Sequence, residues 1–167
     1  EFEGSFVNDI RAGHGVLLTA EGCRYEGDWE ANVQCGQGRL QYSNGDVYEG
    51  GFKDDMKHGE GVFVGADGSE YSGEFEKDLR HGRGKLRSSD GDEYEGDFHM
   101  DMKQGFGCLT KAIGAYMIVY EGHFDNDKRS GRGLLSCTDG MQFEGNFKND
   151  KKCGRGTLVD PCTLVII

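Results

Sequence analysis

The chain has 167 residues and a net charge of −11, with 30 acidic against 19 basic side chains, a balance that argues against nucleic-acid binding and against bulk attraction to anionic lipid. No apolar run approaches a membrane span, no signal peptide is visible, and the six cysteines form no CxxC, so reduced thiols in a cytoplasmic protein are expected. Glycine is abundant, at 29 residues, yet neither collagen-like nor low in complexity.

From Phe2 onward one phrase recurs: aromatic, Glu, Gly, any residue, aromatic. Its seven copies begin at Phe2, Tyr25, Tyr48, Tyr71, Tyr94, Tyr120 and Phe143, with Ser72 in place of Glu in the fourth, in steps of 23 residues with a single step of 26. So strict a period over the whole chain indicates a linear array of like units rather than a globule around a central active site. Because Glu1 already stands inside a repeat-like phrase, the chain reads as a fragment of a longer array.

Within each copy, positions 1, 3 and 5 hold aromatic, Gly and aromatic, and positions 12, 14 and 16 hold Gly, Gly and a large apolar residue, as in Tyr48, Gly50, Phe52 and Gly59, Gly61, Phe63. Both patterns alternate with period two and predict strands. Asp or Asn at position 8 predicts a loop of about six residues between them. Asn44-Gly45, Asp67-Gly68, Asp90-Gly91 and Asp139-Gly140 predict a turn into the next hairpin. The expected fold is therefore all-β, an elongated single-layer array of antiparallel hairpins roughly 65–70 Å long. Position 1 would face 16, position 3 would face 14, and position 5 would face 12. Fourteen of the 18 aromatic residues occupy positions 1 and 5, and core packing is their expected role. On the other face, Glu26–Arg39 and Glu74–Arg83 are expected as cross-strand pairs.

The copies differ in four places. Position 9 is Ile10, Val33, Met56, Leu79 and Met102, then Lys128 and Lys151. This row either covers the aromatic face or walls a groove for a partner segment, with Trp29, Met56, Leu79 and Met102 as candidates. Between copies five and six, residues 111–119 add three residues and bring in Ile113, Tyr116, Met117, Ile118 and Val119. That insertion is either a packed bulge or a partner contact involving Tyr116 and Met117. Residues 1–119 carry 12 basic and 23 acidic side chains, whereas 120–158 carry seven and six. Any contact with acidic lipid is expected there, at Lys128, Arg129, Lys148, Lys151 and Lys152. Finally, the apolar tail 159–167 either caps the last hairpin or pairs with a second chain.

These residues resemble the MORN repeat (membrane occupation and recognition nexus), whose phrase runs Y-E-G-x-[FW], about six residues, G-x-G-x-[LF], then D-G. The resemblance covers residues 2–158 and implies a twisted antiparallel β-array. The family includes lipid kinases, junctional membrane proteins, radial-spoke proteins, a histone-lysine methyltransferase and cytoskeletal scaffolds of protozoan parasites. An uninterrupted array is most similar to the last group, which implies a non-enzymatic cytoskeletal scaffold that forms homodimers near its C-terminal repeats. The dimer contact is then expected at Phe143, Phe147, Leu158, Val159, Leu164, Val165 and Ile166. The alternative is a phosphoinositide- or peptide-binding module cut from a larger protein. No catalytic constellation is present. The Gly-x-Gly phrases lack the Lys-Ser/Thr and helix of a phosphate loop, and calcium-loop spacing is missing. No cofactor is expected, apart from a zinc bridging two chains at Cys153 and Cys162. Expected partners are a second copy, cytoskeletal or membrane-associated proteins and phosphoinositide lipid, at the membrane periphery of the cytoplasm.

Overall fold

A computed structural model describes residues 1–161. Its strands are β1 (Phe2–Val7), β2 (Ile10–Leu18), β3 (Arg24–Glu30), β4 (Val33–Gln41), β5 (Val47–Lys53), β6 (Met56–Val64), β7 (Glu70–Glu76), β8 (Leu79–Arg87), β9 (Glu93–His99), β10 (Met102–Ile113), β11 (Tyr116–Asp125), β12 (Lys128–Cys137), β13 (Gln142–Lys148) and β14 (Lys151–Val159). The fold is all-β, with the 14 strands in one sheet in chain order. Two compact units divide the chain, Glu1–Gly84 and Lys85–Ile167.

Each repeat is a hairpin, as its alternation predicts, but the connection is shorter than the sequence suggests. Lys53 pairs with Met56, leaving a two-residue turn at Asp54-Asp55. Both turn residues have positive φ, 53° and 64°, and the same holds at positions 7 and 8 of all seven copies. This is the twist-matched turn of tight hairpins. The remaining loop residues form a bulge. Gly50 pairs with Gly61, but Phe52 pairs with Lys57, so His58, Gly59 and Glu60 stand against Gly51 alone. Position 5 therefore faces position 10 within its hairpin, not position 12 as the alternation suggested. Position 12 pairs with position 5 of the following copy, as in Gly13 with Trp29 and Gly36 with Phe52. The expected pairings of position 1 with 16 and 3 with 14 are present, as in Tyr48 with Phe63 and Gly50 with Gly61.

Bulging lets each position-1 ring lie flat over two glycines. A Cβ on Gly38 would sit 2.7 Å from Cε2 of Tyr25. The Tyr hydroxyl donates to the position-4 carbonyl at 2.9–3.1 Å in copies two to six, satisfying an acceptor that the bulge releases from the ladder. The first unit carries an edge-to-face series running Phe6, Phe2, Trp29, Tyr25, Phe52, Tyr48, Phe75, Tyr71, with centroids 5.0–5.3 Å apart. The second carries Phe98, Tyr94, Phe124, Tyr120, Phe147, Phe143 at 5.0–5.6 Å. Each such pair adds about 0.5–1.5 kcal/mol beyond its area burial. Every buried hydrophobic side chain among the described residues belongs to these two series.

The position-8 side chain ties each copy to the one before it. Asp55 accepts the Gln34 N–H at 2.7 Å, Asp78 that of Lys57 at 3.0 Å, Asp127 that of Lys103 at 2.9 Å and Asp150 that of Arg129 at 3.0 Å. The backbone N–H groups of Asp55, Asp78, Asp127 and Asp150 return the bond to the same residues at 3.0–3.2 Å. This two-way staple holds the left-handed turn residue in place and explains why Asn32 serves equally well, accepting from Arg11 N–H at 2.9 Å.

Candidate functional site

The hairpins present two unlike faces. On the aromatic face, position 10 supplies the cover: Arg11 lies 4.3 Å from the Trp29 ring centroid, Lys57 5.8 Å from Tyr48, Lys103 5.3 Å from Tyr94, Arg129 5.4 Å from Phe147 and Lys152 4.4 Å from Phe143. The rings are thereby enclosed by cations and by one another. Burial, aided by nearby carboxylates, pushes the phenols of Tyr25, Tyr48 and Tyr94 far above the usual tyrosine value. The sequence signal was present but unread, since position 10 is Lys or Arg in six of the seven copies. Position 9 lies next to these cations and so points to the opposite face. Its apolar row therefore does not cover the rings.

On the opposite face, position-4 carboxylates close the bulges. Asp28 accepts the Gln37 N–H at 3.1 Å, Glu74 that of Arg83 at 3.0 Å and Asp97 that of Phe106 at 3.0 Å. The cross-strand contact expected between Glu74 and Arg83 is made to the backbone, the carboxylate accepting the Arg83 N–H. Glu26 does stand opposite Arg39, but its hydrogen bond is to Arg24 at 2.7 Å. That bond and the Arg24 charge lower the Glu26 carboxyl below its ordinary value.

The expected site residues are distributed as follows. Trp29 and Phe147 are core rings, 4% and 3% exposed, so a partner contact through either would require opening the aromatic series. Met56, Leu79 and Met102 are half-buried, each at the turn end of its own hairpin. The insertion is not a bulge. Lys111–Ile118, Ala112–Met117 and Ile113–Tyr116 continue the ladder, so β10 and β11 form one lengthened hairpin, because the added residues alternate in register. Tyr116 and Met117 stand on it at 54% and 46% exposure. Of the basic cluster, Arg129 and Lys152 lie over rings, whereas Lys128, Lys148 and Lys151 are exposed. Phe143 is half-buried, and Leu158 and Val159 are exposed on β14. Cys153 is exposed, and no group of three metal-ligating side chains lies together among the described residues. Cys162, Leu164, Val165 and Ile166 lie outside the described residues.

Concavities open on this face among the described residues. One, about 480 Å³, belongs to the first unit and is lined by Val47, Val62 and Val64 with Arg39 and Glu49. Its apolar floor coincides with a departure from the repeat: Val62 faces Ser72, where the other six copies carry Glu. Another, about 340 Å³, belongs to the second unit and is lined by Arg132, Glu144, Gly145, Asn146, Arg155, Gly156 and Thr157.

The MORN repeat model matches residues 2–24, 25–47, 48–70, 71–93, 94–116, 120–142 and 143–161. The chain belongs to the MORN repeat family. A MORN repeat is a structural and binding unit, and that is the class of this protein. No curated protein matches it. Among solved structures, the TCP domain of SAS-4 (dCPAP) of Drosophila melanogaster, in complex with a proline-rich motif of Ana2 (dSTIL), is similar in fold. The TM-score is 0.51 at 13% identity, over 90% of this chain and 80% of that one.

Proposed function

We propose that this MORN array is a non-enzymatic scaffold of the cytoskeleton or the membrane–cytoskeleton junction, joined to a second copy through its C-terminal repeats. The observation that carries the reading is β14. Among the described residues this strand has a single neighbour, β13, and it is exposed along its whole length. An exposed edge presents unpaired backbone groups and invites strand pairing, and a second copy offers the matching edge for a two-fold contact. Leu158 and Val159, 57% and 50% exposed, add apolar area at that edge. A non-catalytic role agrees with the use of the aromatic, tyrosyl and position-4 acidic groups in holding the repeats together.

Light scattering across a concentration series tests this. The expected mass is twice the 18.4 kDa chain, returning to that of one chain when Leu158→Lys and Val159→Lys charge the edge. A single-chain mass at every concentration, or a dimer that survives both substitutions, overturns the reading.

The valine-lined concavity favours a second reading, a peptide-recognition module. The fly protein of similar fold is bound to a proline-rich motif, and extended proline-rich segments suit shallow apolar surfaces because little chain entropy is lost on binding. Val62→Lys places in this copy the residue that Lys85 supplies in the next, so it should abolish capture of a proline-rich peptide and leave the fold intact.

A further inference from the structure

Position 4 supplies a built-in anion in three of the seven copies. In copies two, four and five, a carboxylate at Asp28, Glu74 or Asp97 accepts the position-13 N–H and fills the bulge. It sits so close that a Cβ on Gly36 or Gly105 would come within 2.6 Å of a carboxylate oxygen. Copy seven lacks that carboxylate. Position 4 is Asn146 and position 13 is Arg155, while Arg132 holds position 13 of the copy before. A Cβ on Gly154 would meet nothing within 4 Å, as on Gly59 of copy three, so this bulge is open where those of copies two, four and five are filled. The resulting concavity gathers two guanidinium groups, the Asn146 amide and the Thr157 hydroxyl. Arg132 pairs with Glu144, and Arg155 has no ion-pair partner among the described residues.

We propose that this concavity over β12–β14 is an oxyanion site that takes the phosphomonoester of a phosphorylated peptide segment. A phosphoserine or phosphothreonine presents close to two negative charges and three acceptor oxygens, which match two planar arginine forks with neutral donors beside them. The external phosphate occupies the place of the missing position-4 carboxylate. A peptide fits better than a membrane surface. Glu144 stands inside the concavity and the whole chain carries −11, so a single phosphate on a basic peptide is attracted whereas a densely anionic surface is repelled.

The test uses the full chain and a fluorescein-labelled peptide with one phosphoserine among Gly, Ala and Lys, alongside its unphosphorylated twin. Anisotropy should show the phosphopeptide bound about tenfold or more tightly than the twin, the scale of one or two charge-assisted hydrogen bonds. Inorganic phosphate should compete. Asn146→Asp restores the sibling carboxylate of Asp28 and Asp97, and Arg155→Glu installs the residue that Glu60 supplies at this position in copy three. Both variants should fold as the parent does, by circular dichroism, and both should lose binding. Lys148→Gln, a basic residue outside the concavity, should leave it within about twofold. Equal binding of both peptides overturns the proposal. So does a loss for Asn146→Asp no larger than that for Lys148→Gln, or binding of phosphoinositide vesicles in place of the phosphopeptide. Because the readout is peptide binding by a chain of any oligomeric state, failure here is separable from failure of the β14 dimer.

Discussion

Gly38→Ala tests the central claim about the fold, that each repeat is closed by a ring lying on glycine backbone. A Cβ at Gly38 would sit 2.6 Å from Oη, 2.7 Å from Cε2 and 2.8 Å from Cζ of Tyr25. The ring has no room to yield. It is 1% exposed, flanked edge-on by Trp29 at 5.2 Å and Phe52 at 5.0 Å, and its hydroxyl donates to the Asp28 carbonyl at 3.1 Å. Overpacking alone costs about 1–3 kcal/mol, and partial ejection of the ring adds part of the roughly 3–5 kcal/mol of a truncated aromatic. A loss of about 2–4 kcal/mol is expected. The control is Gly59→Ala, where φ is +73° and a Cβ meets nothing within 4 Å. Only the left-handed backbone penalty of about 1–2 kcal/mol applies there. Urea unfolding followed by Trp29 emission compares the two. In a Tyr25→Ala background the Gly38→Ala penalty should vanish, because the obstructing ring is gone. If Gly38→Ala costs no more than Gly59→Ala, or costs as much without the Tyr25 ring, the ring-on-glycine account fails.

Three further outcomes follow from the same contacts. Asp78→Ala removes the acceptor of the Lys57 N–H, 3.0 Å away, and should cost about 1–2 kcal/mol, whereas Asp78→Asn should stay within about 0.5 kcal/mol because Asn32 does the same work in copy two. Equal losses in thermal unfolding would remove the staple from the argument. Tyr94→Phe leaves the ring but strips the donor from the Asp97 carbonyl at 3.0 Å, an expected loss of about 1–2 kcal/mol by urea titration, and no change would mean that the bulge carbonyl is satisfied elsewhere. The phenols of Tyr25, Tyr48, Tyr94 and Tyr120 titrate above their unfolded value, chiefly through burial. Their raised folded pKa means the stabilisation is complete below about pH 10 and is lost as pH rises above it, by up to about 1.4 kcal/mol per pH unit for each phenol. Tyrosinate absorbance should therefore appear together with unfolding, and tyrosinate forming in the folded chain near the ordinary tyrosine value would contradict the burial.

Most of the fold was legible because a 23-residue period repeats one local code seven times. Tyr48, Gly50 and Phe52 announce a strand, Gly59, Gly61 and Phe63 announce its partner, and the pairing of Gly50 with Gly61 follows from their spacing. The bulge was not legible. Asp54 and Asp55 read as loop residues, and nothing local says that the loop tightens to two residues while His58, Gly59 and Glu60 crowd against Gly51. That choice depends on the Tyr48 ring needing a flat bed and on its hydroxyl needing the Gly51 carbonyl at 2.9 Å, a three-residue arrangement that no period expresses. The lengthened hairpin at the insertion was not legible for a related reason, since three added residues look like a bulge until their alternation is matched against both strands at once.

What the sequence alone determined is thus the repeat, its strands, its aromatic core and the family, all set by composition at fixed spacing. Tertiary structure decided what each conserved spacing is for. It turned the position-10 cations into the lid on the rings, the position-8 acids into staples between copies, and the position-4 acids of copies two, four and five into caps whose place Asn146 takes in copy seven. The physical reason is that periodicity reports which residues share a face, whereas hydrogen bonding across a bulge or between copies brings together groups nine to 24 residues apart, as in Asp28 with Gln37 and Lys103 with Asp127, and these meet only when the strands are paired.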